Sequence, residues 1–266
     1  MRRLPRCAPF LLCGLLAAVP SLRAQDAPAT GLDLLQRMRD SYHGQWYGTL
    51  TFTQTTTRHR ADGSDTVSTW YESVRQNDTT GTELRIDIGD PADGNGVLYS
   101  VDSLWVLRGG RLVATRPGGN ALLPLIEGVY LQPVARTAAA LASTAVDLRR
   151  PVVGGRWNGR PVWIAGATAA GDTTSPQFWV DVERRVVVRA IFVPVPSAPL
   201  MDIQLDSLVP VGGGWLATRC EFYVAGRLVQ REEYHDWAAN VALAPELFDV
   251  TRWTTARHWA HQPRGG

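Results

Sequence analysis

From Trp46 onward, apolar and polar residues alternate with a period of two over most of the chain, which is the pattern of half-buried β-strands. Trp46, Gly48, Leu50, Phe52 and Gln54 fall on one side of the first run, and Tyr47 with a row of threonines on the other. These are residue types that fit a pleated, half-buried surface. An Asp62-Gly63 turn leads to a return strand at 66–75, and a third run at 83–88 sets Leu84, Ile86 and Ile88 against Glu83, Arg85 and Asp87. Further strands are predicted at 97–101, 104–107 and, past Gly109-Gly110, 111–115. Alternation stops between Leu122 and Leu148, where an Ala- and Leu-rich stretch behind Pro133 predicts a helix over 134–146. Strand patterns return at 161–167, 177–182, 186–193 and 201–208.

The last long pattern, 215–248, predicts a hairpin about Ala225-Gly226 that finishes the sheet. With Val224 opposite Arg227, Phe222 falls opposite Val229 and Arg219 opposite Glu232. Apolar pairs and opposite charges then meet across the ladder, each contributing about 0.2–1 kcal/mol. This register places Leu216, Phe222 and Val229 on one face and Trp215, Tyr223 and Tyr234 on the other. Near the start, Thr30 and Asp33 have capping-box spacing, and Leu34, Leu35, Met38 and Tyr42 return to one face, which predicts a helix over 30–42 closed by Gly44. The fold class expected is mainly β with a few helices.

Neither an internal repeat nor a linker divides the chain, so one domain over 25–250 is expected, with a C-terminal tail at 251–266. Residues 1–24 read as a secretory signal peptide: Arg2, Arg3 and Arg6 precede an apolar run too short to span a bilayer, and a small residue, Ala24, precedes Gln25. Export to the periplasm follows. Losing that leader removes four arginines, so the formal charge of +2 becomes about −2 and the electrostatic case for a nucleic-acid partner goes with it. Lysine is absent throughout. Of the three cysteines only Cys220 lies beyond the leader, so no intramolecular disulfide is expected; its alternation with Leu216, Thr218 and Phe222 makes it a core residue.

Candidate chemistry is sparse. The chain has no Gly-x-Ser-x-Gly elbow, phosphate loop, dinucleotide fingerprint or His-Glu-x-x-His, so no catalytic residue, metal ligand or cofactor is assigned. Glu232, Glu233, His235 and Asp236 carry metal-ligating or hydrolytic groups, but strand alternation splits them between two faces. His258 and His261 are expected to fray in the tail. Asp90, Asp93 and Asn95 fit a turn better than a calcium loop, and Asn77-Asp78-Thr79 matches a glycosylation sequon. Ten tryptophans are numerous, and Trp46, Trp70, Trp105, Trp163, Trp179, Trp215 and Trp237 lie on or beside predicted strands, where they fill a core or line a cavity.

The order of elements resembles the periplasmic lipoprotein carriers of the LolA type and the wider superfamily of outer-membrane lipoprotein-sorting proteins. The resemblance is carried by Phe52-Thr53-Gln54, by Tyr99 to Trp105, by Phe178-Trp179-Val180-Asp181 with the strand at 186–192, and by Leu247-Phe248. It implies a curved antiparallel sheet, an incomplete barrel capped by helices on its concave side, with 30–42 and 122–146 as lid. It implies a cavity wall of Leu50, Phe52, Trp70, Leu84 and Ile86, joined by Trp105, Leu216 and Phe222. Such carriers use an Arg-Pro pair on the second strand to latch the lid; no Pro stands there, and Arg75 is the residue on the matching side-chain face. The implied ligand is a lipoprotein acyl chain or another lipid, with an inner- or outer-membrane partner protein and a monomeric carrier that performs no covalent chemistry. An alternative is an envelope sensor that uses the same half-barrel to bind a protein.

Overall fold

The computed structural model describes residues 27–77, 81–100, 102–193 and 198–261. The leader, Asp78 and Thr79 of the sequon, Val101 and the tail from 262 lie outside them. Thirteen strands form one antiparallel sheet: β1 (Thr49–His59), β2 (Asp65–Asn77), β3 (Gly81–Ile88), β4 (Gly96–Tyr99), β5 (Ser103–Arg108), β6 (Arg111–Pro117), β7 (Val153–Trp157), β8 (Arg160–Ala165), β9 (Gln177–Asp181), β10 (Val187–Phe192), β11 (Met201–Val211), β12 (Gly214–Val224) and β13 (Arg227–Ala239). Their spatial order is β6-β5-β4-β3-β2-β1-β13-β12-β11-β10-β9-β8-β7, so β6 and β7 are free edges and the sheet is not closed into a barrel.

The hairpin β12–β13 therefore does not finish the sheet. It sits at the middle, where β13 pairs with β1 through Gln54↔Tyr234 and Thr56↔Glu232 and joins two meanders. Local alternation makes a hairpin; which far strand it docks against is a tertiary matter. Ala225 and Gly226 both adopt positive φ, the backbone hand that matches strand twist, and Val224 faces Arg227 as the pattern predicts. Beyond it a bulge between Phe222 and Tyr223 shifts the ladder, so Phe222 opposes Gln230 and Arg219 opposes Glu233. Val229 becomes the extra residue, and Tyr234 and Glu232 turn to the face of Phe222 instead of away from it. Strand β7 has no counterpart in the pattern, because Gly154 and Gly155 interrupt the alternation.

Helix α1 (Gly31–Tyr42) begins at the predicted box: the Thr30 side chain accepts from the Asp33 amide, and Asp33 accepts from the Thr30 amide at 2.9 Å. Leu34, Leu35 and Met38 are fully buried. The central interruption is a π-helical turn at Pro124–Gly128 that runs through α2 (Val129–Leu131), followed by α3 (Val134–Leu141), shorter than the predicted helix. α1 packs on α2 and α3, and together they cover one face of the sheet in a single apolar core from Val74 on β2 to Trp163 on β8. Residues from β3 and from β10 line one cavity although seven strands run from one to the other. Laid flat at about 4.8 Å per strand these would stand some 29 Å apart, so the sheet curls around its helix-covered, concave face.

The outer face is covered as well over β2–β5. Residues 243–261 lie across the outer face, where Leu247, Phe248 and Trp253 pack on Leu98 and Leu107 in a second core. Buried Arg85 anchors this segment: it pairs with Asp87 at 2.7 Å, donates to the carbonyls of Leu247 and Trp253, and lies 3.8 Å from the centre of the Trp253 ring. His258 is buried against Asp87 at 3.1 Å, and Trp259 Nε1 donates to Ser73 at 2.8 Å. The segment read as a fraying tail is thus packed as far as residue 261, because the outer face of β2–β5 offers it apolar area and a buried ion pair. Gly96 permits this contact: a Cβ there would lie 2.7 Å from the Trp253 ring and 2.2 Å from the Ile86 carbonyl.

Candidate functional site

Between the concave face and the lid lies a cavity of about 460 Å³. Its wall takes Leu50 and Phe52 from β1, Trp70 and Val74 from β2, Leu84 and Ile86 from β3, Tyr99 from β4, Phe192 from β10, Ile203 from β11, and Leu216 and Phe222 from β12. Residues 119–123, Ile126 and Glu127 close it from the helical side. Alternation explains the convergence, since each strand contributes every second residue to the concave face. Seven of the residues named from sequence therefore stand together: Leu50, Phe52, Trp70, Leu84, Ile86, Leu216 and Phe222.

Two others do not. Trp105 pairs across from Leu98 and packs with it under the C-terminal segment, on the outer face, while its neighbour Leu104 opposes Tyr99 and reaches the cavity. The alternation had the right period there and the wrong phase. Arg75 also points outward. It pairs with Glu83 at 2.5 Å, sits 4.1 Å over the Phe248 ring and donates to the Pro245 carbonyl, so it holds the C-terminal segment and not the lid.

The lid is held by Glu127 instead. This carboxylate, 4% exposed, accepts from Tyr47 OH at 2.7 Å and from Trp46 Nε1 at 3.1 Å. Trp46 stacks on Tyr130 of α2 with ring centres 3.7 Å apart, and Tyr42 meets both rings edge-on. Arg39 adds a bond to the Gln132 carbonyl at 2.9 Å. Burial pushes the Glu127 carboxyl up to about 7, with the bonds from Tyr47 and Trp46 holding it back.

Two more carboxyls enter the cavity. Glu232, 7% exposed, accepts from Tyr234 OH at 2.8 Å and Gln230 Nε2 at 2.5 Å, and burial pushes it up to about 7 against those bonds. Glu72, 6% exposed, is raised well above the ordinary carboxylate range by burial and then by the charge of Glu232. Among the described residues nothing hydrogen-bonds or ion-pairs with Glu72. They flank β1, with Glu72 opposite Phe52 and Glu232 opposite Thr56, and between those positions stands Gln54, fully buried, with its Oε1 lacking a partner. Arg58 stands exposed at the rim, 5.2 Å from the centre of the Trp70 ring.

Glu72, Glu127 and Tyr234 are not named as site residues from the sequence, and Glu232 is weighed there only with Glu233, His235 and Asp236 as a metal-ligating or hydrolytic group. A signal existed for Glu72: it is in phase with Trp70 and Val74, a charge on the apolar face of its strand. Glu127 likewise interrupts the apolar stretch 121–131. Glu232 and Tyr234 required the bulge. Glu233, His235 and Asp236 are exposed, on the other side from Glu232 or past it, and among the described residues no group of three or more His, Cys, Asp or Glu is placed to hold a metal ion.

A lid-covered, apolar cavity in an open, curled antiparallel sheet defines the LolA-like, lipoprotein-sorting fold, and the chain has that fold. An outer membrane lipoprotein-sorting protein domain from Vibrio parahaemolyticus superposes with a TM-score of 0.59 at 12% identity, covering 84% of this chain and 98% of that one. A DUF1329 family protein from Desulfovibrio piger gives 0.56 at 14% identity, covering 82% and 95%. A LolA superfamily protein from Nitrosomonas europaea gives 0.50 at 13% identity, covering 82% and 97%. No family model matches the chain, and no curated protein matches it in sequence. The likeness is one of fold.

Proposed function

We propose that the protein is a periplasmic carrier that takes an acyl chain of a lipoprotein or another lipid into the cavity beneath its lid, without covalent chemistry. The observation that carries this reading is the cavity of about 460 Å³ between the concave face and residues 119–127, walled mainly by apolar and aromatic side chains. That volume falls within the about 300–1,000 Å³ of small-molecule pockets. Each methylene moved from water into such a wall is worth about 0.8 kcal/mol, so a chain of moderate length binds well without any catalytic group. The signal-peptide pattern read from residues 1–24 supports the compartment, and no helix among the described residues is long and apolar enough to cross a membrane. The likeness to the Vibrio parahaemolyticus domain, described as lipoprotein-sorting, supports the ligand class. Docking on a membrane partner for loading or release belongs to the same proposal.

The test is to purify the mature protein from a Gram-negative periplasm, extract it with organic solvent and analyse the extract by mass spectrometry, alongside titration with an apolar fluorescent probe. Co-purifying lipid, or probe binding displaced by lipid, is expected. An extract free of lipid together with no probe binding refutes the reading.

A further inference from the structure

The acyl-carrier reading accounts for the apolar wall but not for what is set into it. Glu72 and Glu232 both line the cavity, and burying a carboxyl is costly unless something pairs with it. Glu232 is provided for by Tyr234, Gln230 and Gln54, and by the charge of Arg58. Glu72 has no partner among the described residues, and the Gln54 Oε1 on the strand between them has none either. Both are acceptors once Glu72 ionises; of the donors near them, Trp70 Nε1 is spent on Ser68, and the Thr56 hydroxyl accepts from Gln54 Nε2. The other charged or ionisable side chains around this part of the cavity are Glu127 from the lid, Tyr99 from β4, Tyr234 from β13, buried Cys220 from β12, and Arg58 at the exposed rim. Among the described residues the cavity is thus lined by three carboxyls, and its cation is Arg58 at the rim, whose charge reaches Glu232 but is not among the influences on Glu72.

Resting on the carrier reading, we propose that the ligand is an amphiphile bearing an amine or comparable cationic donor group, received between Glu72 and Glu232, with its chain along the apolar wall. An ammonium has three donors and no acceptor, which is the complement of two carboxylates. Entering such a site, it draws the pair into the ionised form and supplies Glu72 with the partner the protein withholds. A carboxylate or phosphate head group placed there meets the like charge of Glu72 and Glu232 and loses affinity.

The experiment displaces an apolar fluorescent probe from the mature protein with dodecylamine, dodecan-1-ol and dodecanoate, each below its micellar concentration, and repeats it with Glu72→Gln and with Glu72→Gln/Glu232→Gln. Gln keeps the size of Glu, and the single variant, which breaks no bond within the protein, serves if the double variant does not fold. Dodecylamine is expected to displace the probe at about tenfold lower concentration than dodecanoate or better. In either variant that preference is expected to shrink severalfold while displacement by dodecan-1-ol stays unchanged. Equal or better displacement by dodecanoate, or an amine preference untouched by the substitutions, overturns the inference and leaves the carrier reading standing. Failure of the probe to bind, together with an extract free of lipid, overturns both.

Discussion

Glu127→Gln isolates the chemistry of the lid. The wild-type carboxyl has a reference value of 4.5 and is pushed up to about 7 in the folded protein, chiefly by burial. A folded value above the unfolded one means that the closed state keeps a proton which the unfolded state gives up. The stability it contributes is complete below about pH 4.5 and is lost as pH rises through about 7. At about 1.4 kcal/mol per pH unit the span corresponds to about 3 kcal/mol. Gln preserves the geometry: its oxygen accepts from Trp46 Nε1, and its amide donates to the Tyr47 hydroxyl, which accepts as readily as it donates. The variant therefore matches wild type near pH 4 and exceeds it by up to about 3 kcal/mol near pH 8. Urea unfolding of both proteins, followed by tryptophan fluorescence across that range, reads the difference directly. The slopes contributed by Glu72 and Glu232 are common to both proteins and cancel. A difference that stays flat with pH, or one in which wild type gains as pH rises, refutes the assignment of Glu127 as a buried, protonatable latch.

Arg85→Met removes the guanidinium from the outer face and leaves Asp87 buried with only His258 beside it, for an expected loss of about 3–5 kcal/mol in chemical denaturation. The companion Arg85→Met/Asp87→Asn should recover part of that loss, since the buried charge is gone. Arg75→Ala should leave probe binding in the cavity unchanged while speeding amide exchange in the 3₁₀ turn Pro245–Phe248, where its side chain lies. Weakened probe binding with unchanged exchange there would restore Arg75 to the lid.

Several elements were legible because their causes are local. The capping box at Thr30 and Asp33 fixes the start of α1, and the period of two marks nearly every strand, since one side of each faces a core. That period also gathers Leu50, Phe52, Trp70, Leu84 and Ile86 onto one face without reference to any partner strand. What a period cannot supply is which face is concave, and Trp105 is on the wrong side for that reason. Nor can it reveal a bulge: the one extra residue between Phe222 and Tyr223 and their partners carries Glu232 and Tyr234 into the cavity.

By itself, then, the sequence determined the element types, the curled antiparallel class that it resembles and most of the cavity wall. These follow from backbone propensity and from the cost of leaving apolar faces in water. Only the tertiary structure decided that β13 docks on β1 at the centre of the sheet, that residues 243–261 cover the outer face around Arg85 and Asp87, and that Glu127, Glu72 and Glu232 lie buried beneath the lid. Each of those depends on groups far apart in the chain. The free energy of a buried charge is set by what surrounds it in space, and no neighbour in sequence records that.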